Sequence, residues 1–229
     1  MTFSITAVDL ETNKVGVAIA SVFPAVGAVC PWVNEHGGIS TQAWDSGADY
    51  GEPVLQMLNS GVPLETAAES LITDREGGIG TQLHGVTKDG RSFTYTGEKC
   101  NEWAGHVDGG DHTTAGNLLV GPEVVESMSE TFGSAEGPLE ERLISALEAG
   151  EQAGGDKRGD NWSAALLVHA PTPQLYHNLR VDDPGNPIAG LRDGYENARE
   201  AESETDRSEL EAQWGGPVPD SVSTFRIKY

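Results

Sequence analysis

Residues 15–22, Val-Gly-Val-Ala-Ile-Ala-Ser-Val, are apolar or small at every position. A half-buried strand alternates apolar and polar side chains, but this one has no polar face and must be covered on both. Residues 25–30 have the same character, and 38–44, Gly-Ile-Ser-Thr-Gln-Ala-Trp, complete the group. A chain that opens with several such segments needs a layer on each side of its sheet. The breaks at 9–13 and 23–24 are short, so these strands are expected to pair antiparallel as a meander. Gly16, Ala18, Ala20 and Gly27 leave room for another layer to approach closely.

The helices come in pairs. Pro53 opens one with Val54, Leu55 and Leu58 on a face, and Gly61 closes it. Pro63 opens the next, with Leu64, Ala67, Ala68, Leu71 and Ile72 at helical spacing. Strands are expected again at 80–87, 92–96, 103–107 and 112–120, with a turn at Lys88-Asp89-Gly90. A second helix pair follows Pro122 and Pro138. Its apolar faces are Val124, Val125, Met128 and Phe132, then Leu139, Leu143, Ala146 and Leu147. Residues 161–170 and 176–181 read as strands, and Ile188, Leu191, Tyr195 and Ala198 mark a last helix. Strands and helices in separate blocks indicate α+β rather than βαβ winding. Two stacked antiparallel sheets, each with a helix pair outside, satisfy the double coverage. The expected architecture is therefore a four-layer αββα sandwich over residues 1–199. Residues 200–229 form an acidic helix end or tail, and 221–229 a short strand or arm.

Acids outnumber bases 36 to 14, for a net charge of −22. Nucleic acid and anionic membranes need a basic surface and are excluded as partners. The charge points to a halophilic cytosol, where salt screens self-repulsion, with an ordinary acidic protein as the alternative. Cys30 and Cys100 read as buried thiols or one long-range disulfide. No stretch approaches a membrane span and no signal-peptide pattern opens the chain, so a cytoplasmic location is expected. Trp32, Trp103 and the last helix offer apolar surface for a homo-oligomer.

Thr2 opens the first alternating strand, Phe3-Ser4-Ile5-Thr6-Ala7-Val8. With Met1 removed, Thr2 carries an α-amine and a hydroxyl on one residue, which is an activated nucleophile and its base together. With Met1 retained, the segment is an ordinary strand. Asn117, after Gly116 at a strand end, offers an amide to an oxyanion or makes a turn hydrogen bond. Asp156 and Arg158 lie in the loop 154–160, as a site or as a paired surface loop. His36, His84, His106, His112, His169 and His177 show no metal-ligand spacing, and no phosphate loop or GxSxG elbow occurs. No metal or cofactor is expected.

Several stretches together resemble the DUF1028 family. They include Ala20-Ser21-Val22-Phe23-Pro24-Ala25-Val26-Gly27-Ala28, Thr41-Gln42-Ala43 and Trp103-Ala104-Gly105-His106. Gly116-Asn117-Leu118-Leu119-Val120-Gly121, Gly154-Gly155-Asp156-Lys157-Arg158-Gly159 and Leu179-Arg180-Val181-Asp182-Asp183 complete the pattern. The resemblance runs from Thr2 to about Leu191 and departs from the family at Asp160-Asn161-Trp162. It implies the fold of the N-terminal-nucleophile (Ntn) hydrolases, with an amidase-like ancestry and the first residue after processing as nucleophile. Two functions follow. One is an amidohydrolase of a small amide or peptide, with catalytic Thr2 and Asn117 and substrate-binding Arg158, Asp156 and His106. The other is a catalytically silent protein of that fold with a binding or assembly role.

Overall fold

Strands β1 (Thr2–Asp9) and β2 (Lys14–Ser21) run antiparallel across a turn at residues 10–13, with Asp9 opposite Lys14 and Thr2 opposite Ser21. The computed structural model describes residues 2–47, 49–203 and 207–217. Alternation along β1 decides its two faces. Phe3, Ile5 and Ala7 enter the largest apolar cluster, whereas Ser4 and Thr6 turn to the other side. Next come β3 (Pro31–Asn34), β4 (Gly37–Ala43), α1 (Gly51–Asn59), α2 (Leu64–Asp74), β5 (Thr81–Thr87), β6 (Ser92–Thr96), β7 (Gly105–Asp108) and β8 (His112–Asn117). The rest are α3 (Glu123–Ser134), α4 (Leu139–Gln152), β9 (Ser163–His169), β10 (Asn178–Val181), α5 (Pro187–Ser203) and α6 (Arg207–Trp214).

This is a mixed α+β protein with two antiparallel sheets, one in the order β10-β9-β2-β1-β8-β7 and the other β3-β4-β5-β6. Helices α3, α4 and α5 lie against the larger sheet, and α1 and α2 against the smaller. Val124, Val125, Met128 and Phe132 of α3 and Leu139, Leu143 and Leu147 of α4 join Phe3 and Ile5 in the main core. Each such side chain contributes roughly 1.5–3 kcal/mol on burial. Tyr50, Val54, Leu64, Ala67 and Ala68 cover Ile39 and Leu83 of the smaller sheet. The two sheets also touch each other. A Cβ on Gly38 of β4 would lie 3.0 Å from Val15 of β2, and one on Gly16 would lie 2.6 Å from Leu143 of α4. The small residues of the double-faced strands therefore do admit layers on both sides.

Several expectations need correction. The early strands are not one meander, because β1 and β2 belong to the larger sheet and β3 and β4 to the smaller. Residues 25–30 are not a strand either, but a crossing segment with a 3₁₀ turn at Val26–Ala28. Distant side chains take its first two N–H groups, and carbonyls within the segment take those of residues 28–30. The Ala25 N–H donates to Asp182 Oδ1 at 2.9 Å and the Val26 N–H to Ser163 Oγ at 3.1 Å. β8 stops at Asn117, since Leu118 takes a left-handed φ of +56°. Residues 175–177 are a 3₁₀ turn before β10, because His177 Nδ1 accepts the Gln174 N–H and curls the chain. Trp32 and Trp103 do not form open apolar surface. Both pack against core clusters, and the exposed aromatic residues include Phe23, Trp44, Trp162 and Trp214. Cys30 and Cys100 are free and buried, and burial pushes the Cys30 thiol up to about 12. The 221–229 strand or arm lies outside the described residues, while the acidic segment before it includes α6.

Candidate active site

Because Ser4 and Thr6 face the smaller sheet, Thr2 faces it too, at the open end of the space between the sheets. Its register partners are Ser21 on β2 and Asn117 on β8. Thr2 Oγ1 lies 3.2 Å from Ser21 Oγ, and only 7% of the residue is exposed. It opens on a cleft of about 340 Å³ walled by Phe23, Trp44, Asn117 and Arg158, with Ala43, Asn101 and Leu118 completing the lining. Three of the sequence candidates, Thr2, Asn117 and Arg158, thus come together at one cleft although 156 residues separate the first from the last.

The loop 154–160 reaches the cleft because it bridges to the segment after β8. Asp156 pairs with Leu119, and the Lys157 N–H donates to Leu118 O at 3.2 Å. The Asp156 carboxylate has no exposed surface. It accepts the Arg158 backbone N–H at 2.7 Å, Nε at 3.3 Å and Nη2 at 3.2 Å. Asp156 therefore aims Arg158 and does not itself line the cleft. Arg158 is the one ionisable side chain among the described residues that do.

Behind Asn117 runs a buried polar network. Asn117 Nδ2 donates to Gln82 Oε1 at 3.2 Å, and Gln42 Nε2 donates to the same oxygen at 2.7 Å. Gln42 Nε2 also reaches Thr2 O at 3.4 Å. Gln82 Nε2 donates to the carbonyls of Gly105 and Gly116 and to Thr96 Oγ1, at 2.9–3.0 Å. With two carbonyls on one side, the Gln82 amide has a single workable orientation, which in turn sets that of Asn117. Ser4 links Gln42 to His84, and His84 Nδ1 reaches Thr113 at 2.8 Å. Complete burial holds His84 neutral, with its pKa down at about 3. His106 is on β7 and does not line the cleft. It meets Thr96 at 2.9 Å, and burial lowers its pKa. Gly116 lies within the ladder opposite Phe3 and Gly105, so its backbone serves the sheet and not the cleft.

Ser21, Gln42, Gln82, Asn101, Phe23 and Trp44 were not sequence candidates. Ser21 was within reach of hairpin arithmetic, since a turn at 10–13 sets 9 against 14 and hence 2 against 21. The two buried glutamines share a Thr-Gln pair, Thr41-Gln42 and Thr81-Gln82, that nothing in the pattern marks as buried. Backbone strain gathers here as well. Ala43 at φ +81° and Leu118 at φ +56° are two of the four described non-glycine residues with positive φ, and both line the cleft. Strain of this kind is retained where surrounding structure enforces it, and functional sites are its usual setting. Among the described residues no group of three His, Cys, Asp or Glu is placed to hold a metal. No helix of the described residues is long and apolar enough to cross a membrane.

The model of DUF1028, a family of unknown function, matches residues 2–191. The crystal structure of a Silicibacter pomeroyi protein assigned to the same family model is similar throughout. Its TM-score is 0.81 at 31% identity, covering 100% of this chain and 96% of that one. No curated protein matches.

Proposed function

The chain belongs to the DUF1028 family, and from that premise and the setting of Thr2 we propose that it is an N-terminal-nucleophile amidohydrolase of a small amide or peptide bond. On this reading the two sheets and their outer helices are the four-layer αββα sandwich of the Ntn hydrolases. One observation carries it. The hydroxyl that heads β1 opens on a cleft beside an amide donor and a guanidinium.

The reaction requires that the peptide bond ahead of Thr2 be cut, which frees its α-amine. An α-amine of pKa roughly 7.7–8.0 is a base poised for neutral pH. It takes the Oγ proton, directly or through one water, as Oγ bonds to the amide carbon. The carbonyl oxygen gains the negative charge and the Asn117 side chain donates to it; Asn101 is a second amide on the same cleft. As the C–N bond breaks, the α-amine returns the proton to the leaving nitrogen. Water then attacks the Thr2 ester by the same route, releasing the acid and restoring the hydroxyl. Arg158, aimed by Asp156, holds an anionic group of the substrate.

The test is a screen of amides and short peptides with wild type, Thr2→Ala and Thr2→Ser, after intact-mass measurement on protein from the native cell. Turnover should fall by on the order of 10³ or more in Thr2→Ala and survive in part in Thr2→Ser. It should rise with pH as the α-amine loses its proton. Equal turnover by wild type and Thr2→Ala, or native protein with the bond ahead of Thr2 intact, would refute the mechanism.

A further inference from the structure

Phe23 and Trp44 stand out on this surface, at 63% and 71% exposed. Large aromatic side chains left open to water bring nothing to the core, and where they rim a concave site they mark binding. Both line the Thr2 cleft. Neither is a loose loop tip. The Phe23 N–H donates to Ser21 Oγ at 3.1 Å, and Ser163 Oγ donates to Phe23 O at 2.5 Å. The Trp44 N–H donates to Gly80 O at 3.1 Å. Ala43, just before Trp44, holds a left-handed φ of +81°, which costs a non-glycine residue about 1–2 kcal/mol. The chain accepts that strain where it leaves β4 and sets Trp44 on the cleft wall.

Between these walls lies one cation. The Arg158 guanidinium is 5.9 Å from the Phe23 ring centroid, so its charge sits beside the aromatic surface. Of its five N–H donors, Asp156 takes one from Nε and one from Nη2. The remaining edge is free to meet an anion. That edge suits a single negative charge. No second cation lines the cleft, since the neighbouring Lys157 turns its Nζ to Glu102 O. Asp156 balances the guanidinium charge, so what the cleft offers an anion is the unused N–H edge of Arg158 with no acidic side chain in the lining. The volume of about 340 Å³ is at the small end of ligand pockets, roughly 300–1,000 Å³, and suits a small molecule.

We propose that the cleft takes amides that bear both a carboxylate and a flat apolar group, such as N-acylated aromatic amino acids. The carboxylate lies on the free edge of Arg158 and the ring against Phe23 and Trp44. This rests on the Thr2 reading for the chemistry but not for the binding, and the two separate experimentally.

The experiment uses Thr2→Ala protein, which binds without turnover. N-acetylphenylalanine is compared with its C-terminal amide, which lacks the anion, and with N-acetylalanine, which lacks the ring. Calorimetry gives the affinities and tryptophan fluorescence reports on Trp44. N-acetylphenylalanine should bind at least tenfold more tightly than either. Arg158→Gln should abolish the preference over the amide and keep that over N-acetylalanine. Trp44→Ala should do the reverse. Equal binding of all three, or preferences unchanged in both variants, would overturn the proposal. So would sedimentation showing a dimer that Trp44→Ala dissociates, since the aromatic walls would then cover a second copy. If the pattern appears and wild type hydrolyses no amide, recognition stands and the nucleophile reading falls. If amides are cleaved without regard to ring or carboxylate, the nucleophile stands and this recognition falls.

Discussion

Replacing Glu140 by glutamine should cost the fold about 2–3 kcal/mol near neutral pH and remove part of its sensitivity to acid. Glu140 is in the first turn of α4, and its side chain has no exposed surface. Its Oε1 accepts Lys14 Nζ at 2.8 Å and His177 Nε2 at 2.8 Å, which ties α4 to the start of β2 and to the turn before β10. His177 Nδ1 accepts the Gln174 N–H, so Nε2 carries the proton and a neutral imidazole suffices. Burial by itself raises the Glu140 pKa, but the hydrogen bonds from His177 and Lys14 outweigh it and hold the carboxyl at about 2, against an ordinary 4.5. At about 1.36 kcal/mol per pH unit, that difference is worth roughly 3 kcal/mol. Loss of a hydrogen bond to a charged partner gives about 1.5–3 kcal/mol by a separate route. Glutamine keeps an oxygen for His177 but leaves the Lys14 ammonium, which is 20% exposed, without its counter-charge. The folded pKa is the lowered one, so this stability is complete above 4.5 and is lost as pH falls from 4.5 towards 2. His84 adds a loss of its own. It is held neutral in the fold, so stability falls as pH drops below 6.5 towards 3. That loss is common to both proteins and cancels in their difference. Urea unfolding of wild type and Glu140→Gln, at fixed molar potassium chloride from neutral pH downwards, measures the gap. A gap under about 1 kcal/mol at neutral pH, or one that does not narrow below 4.5, would refute the reasoning.

Gln82→Leu keeps the volume but strands Gln42, Asn117 and the carbonyls of Gly105 and Gly116. At about 1–3 kcal/mol per unpaired buried group, thermal unfolding should show a drop in midpoint far larger than a surface substitution gives. Gly51→Ala puts a Cβ about 2.0 Å from the Trp32 ring, so urea unfolding should lose about 1–3 kcal/mol and Trp32 fluorescence should shift. A Gly51→Ala protein with unchanged stability and spectrum would mean that α1 does not press on Trp32. Molar potassium chloride should raise the thermal midpoint by screening the net charge of −22, and an unchanged or lowered midpoint would count against halophilic adaptation.

The helix pairs and the double-faced strands were legible because their signals are local. Proline starts, glycine stops and 3.6-residue spacing sit inside one segment, and Gly61 at φ +83° ends α1 where the pattern places it. The division of strands between sheets was not legible, because an antiparallel neighbour looks the same whichever sheet it joins. What sends the chain across after β2 is the grip of Asp182 and Ser163 on residues 25 and 26, and those side chains come from far along the chain. The site fails in the same way. Thr2 could be singled out because removal of Met1 would put an amine and a hydroxyl on one residue, a chemistry that needs no distant partner. Gln42 and Gln82 could not. The segment around Gln42 reads as covered on both faces, yet a glutamine side chain in a strand ordinarily points to water. Here it points to the other sheet, and the cost of burying two amides is met by a network in which they meet each other at 2.7 Å and each finds further partners on both sheets. Phe23 and Trp44 were hidden for another reason, since one reads as part of a break and the other as the last residue of an apolar run, and neither place marks a cleft wall. A periodicity records that two faces differ. It does not record what each face meets, and at this site that second fact separates a polar floor and an aromatic rim from an ordinary sheet edge.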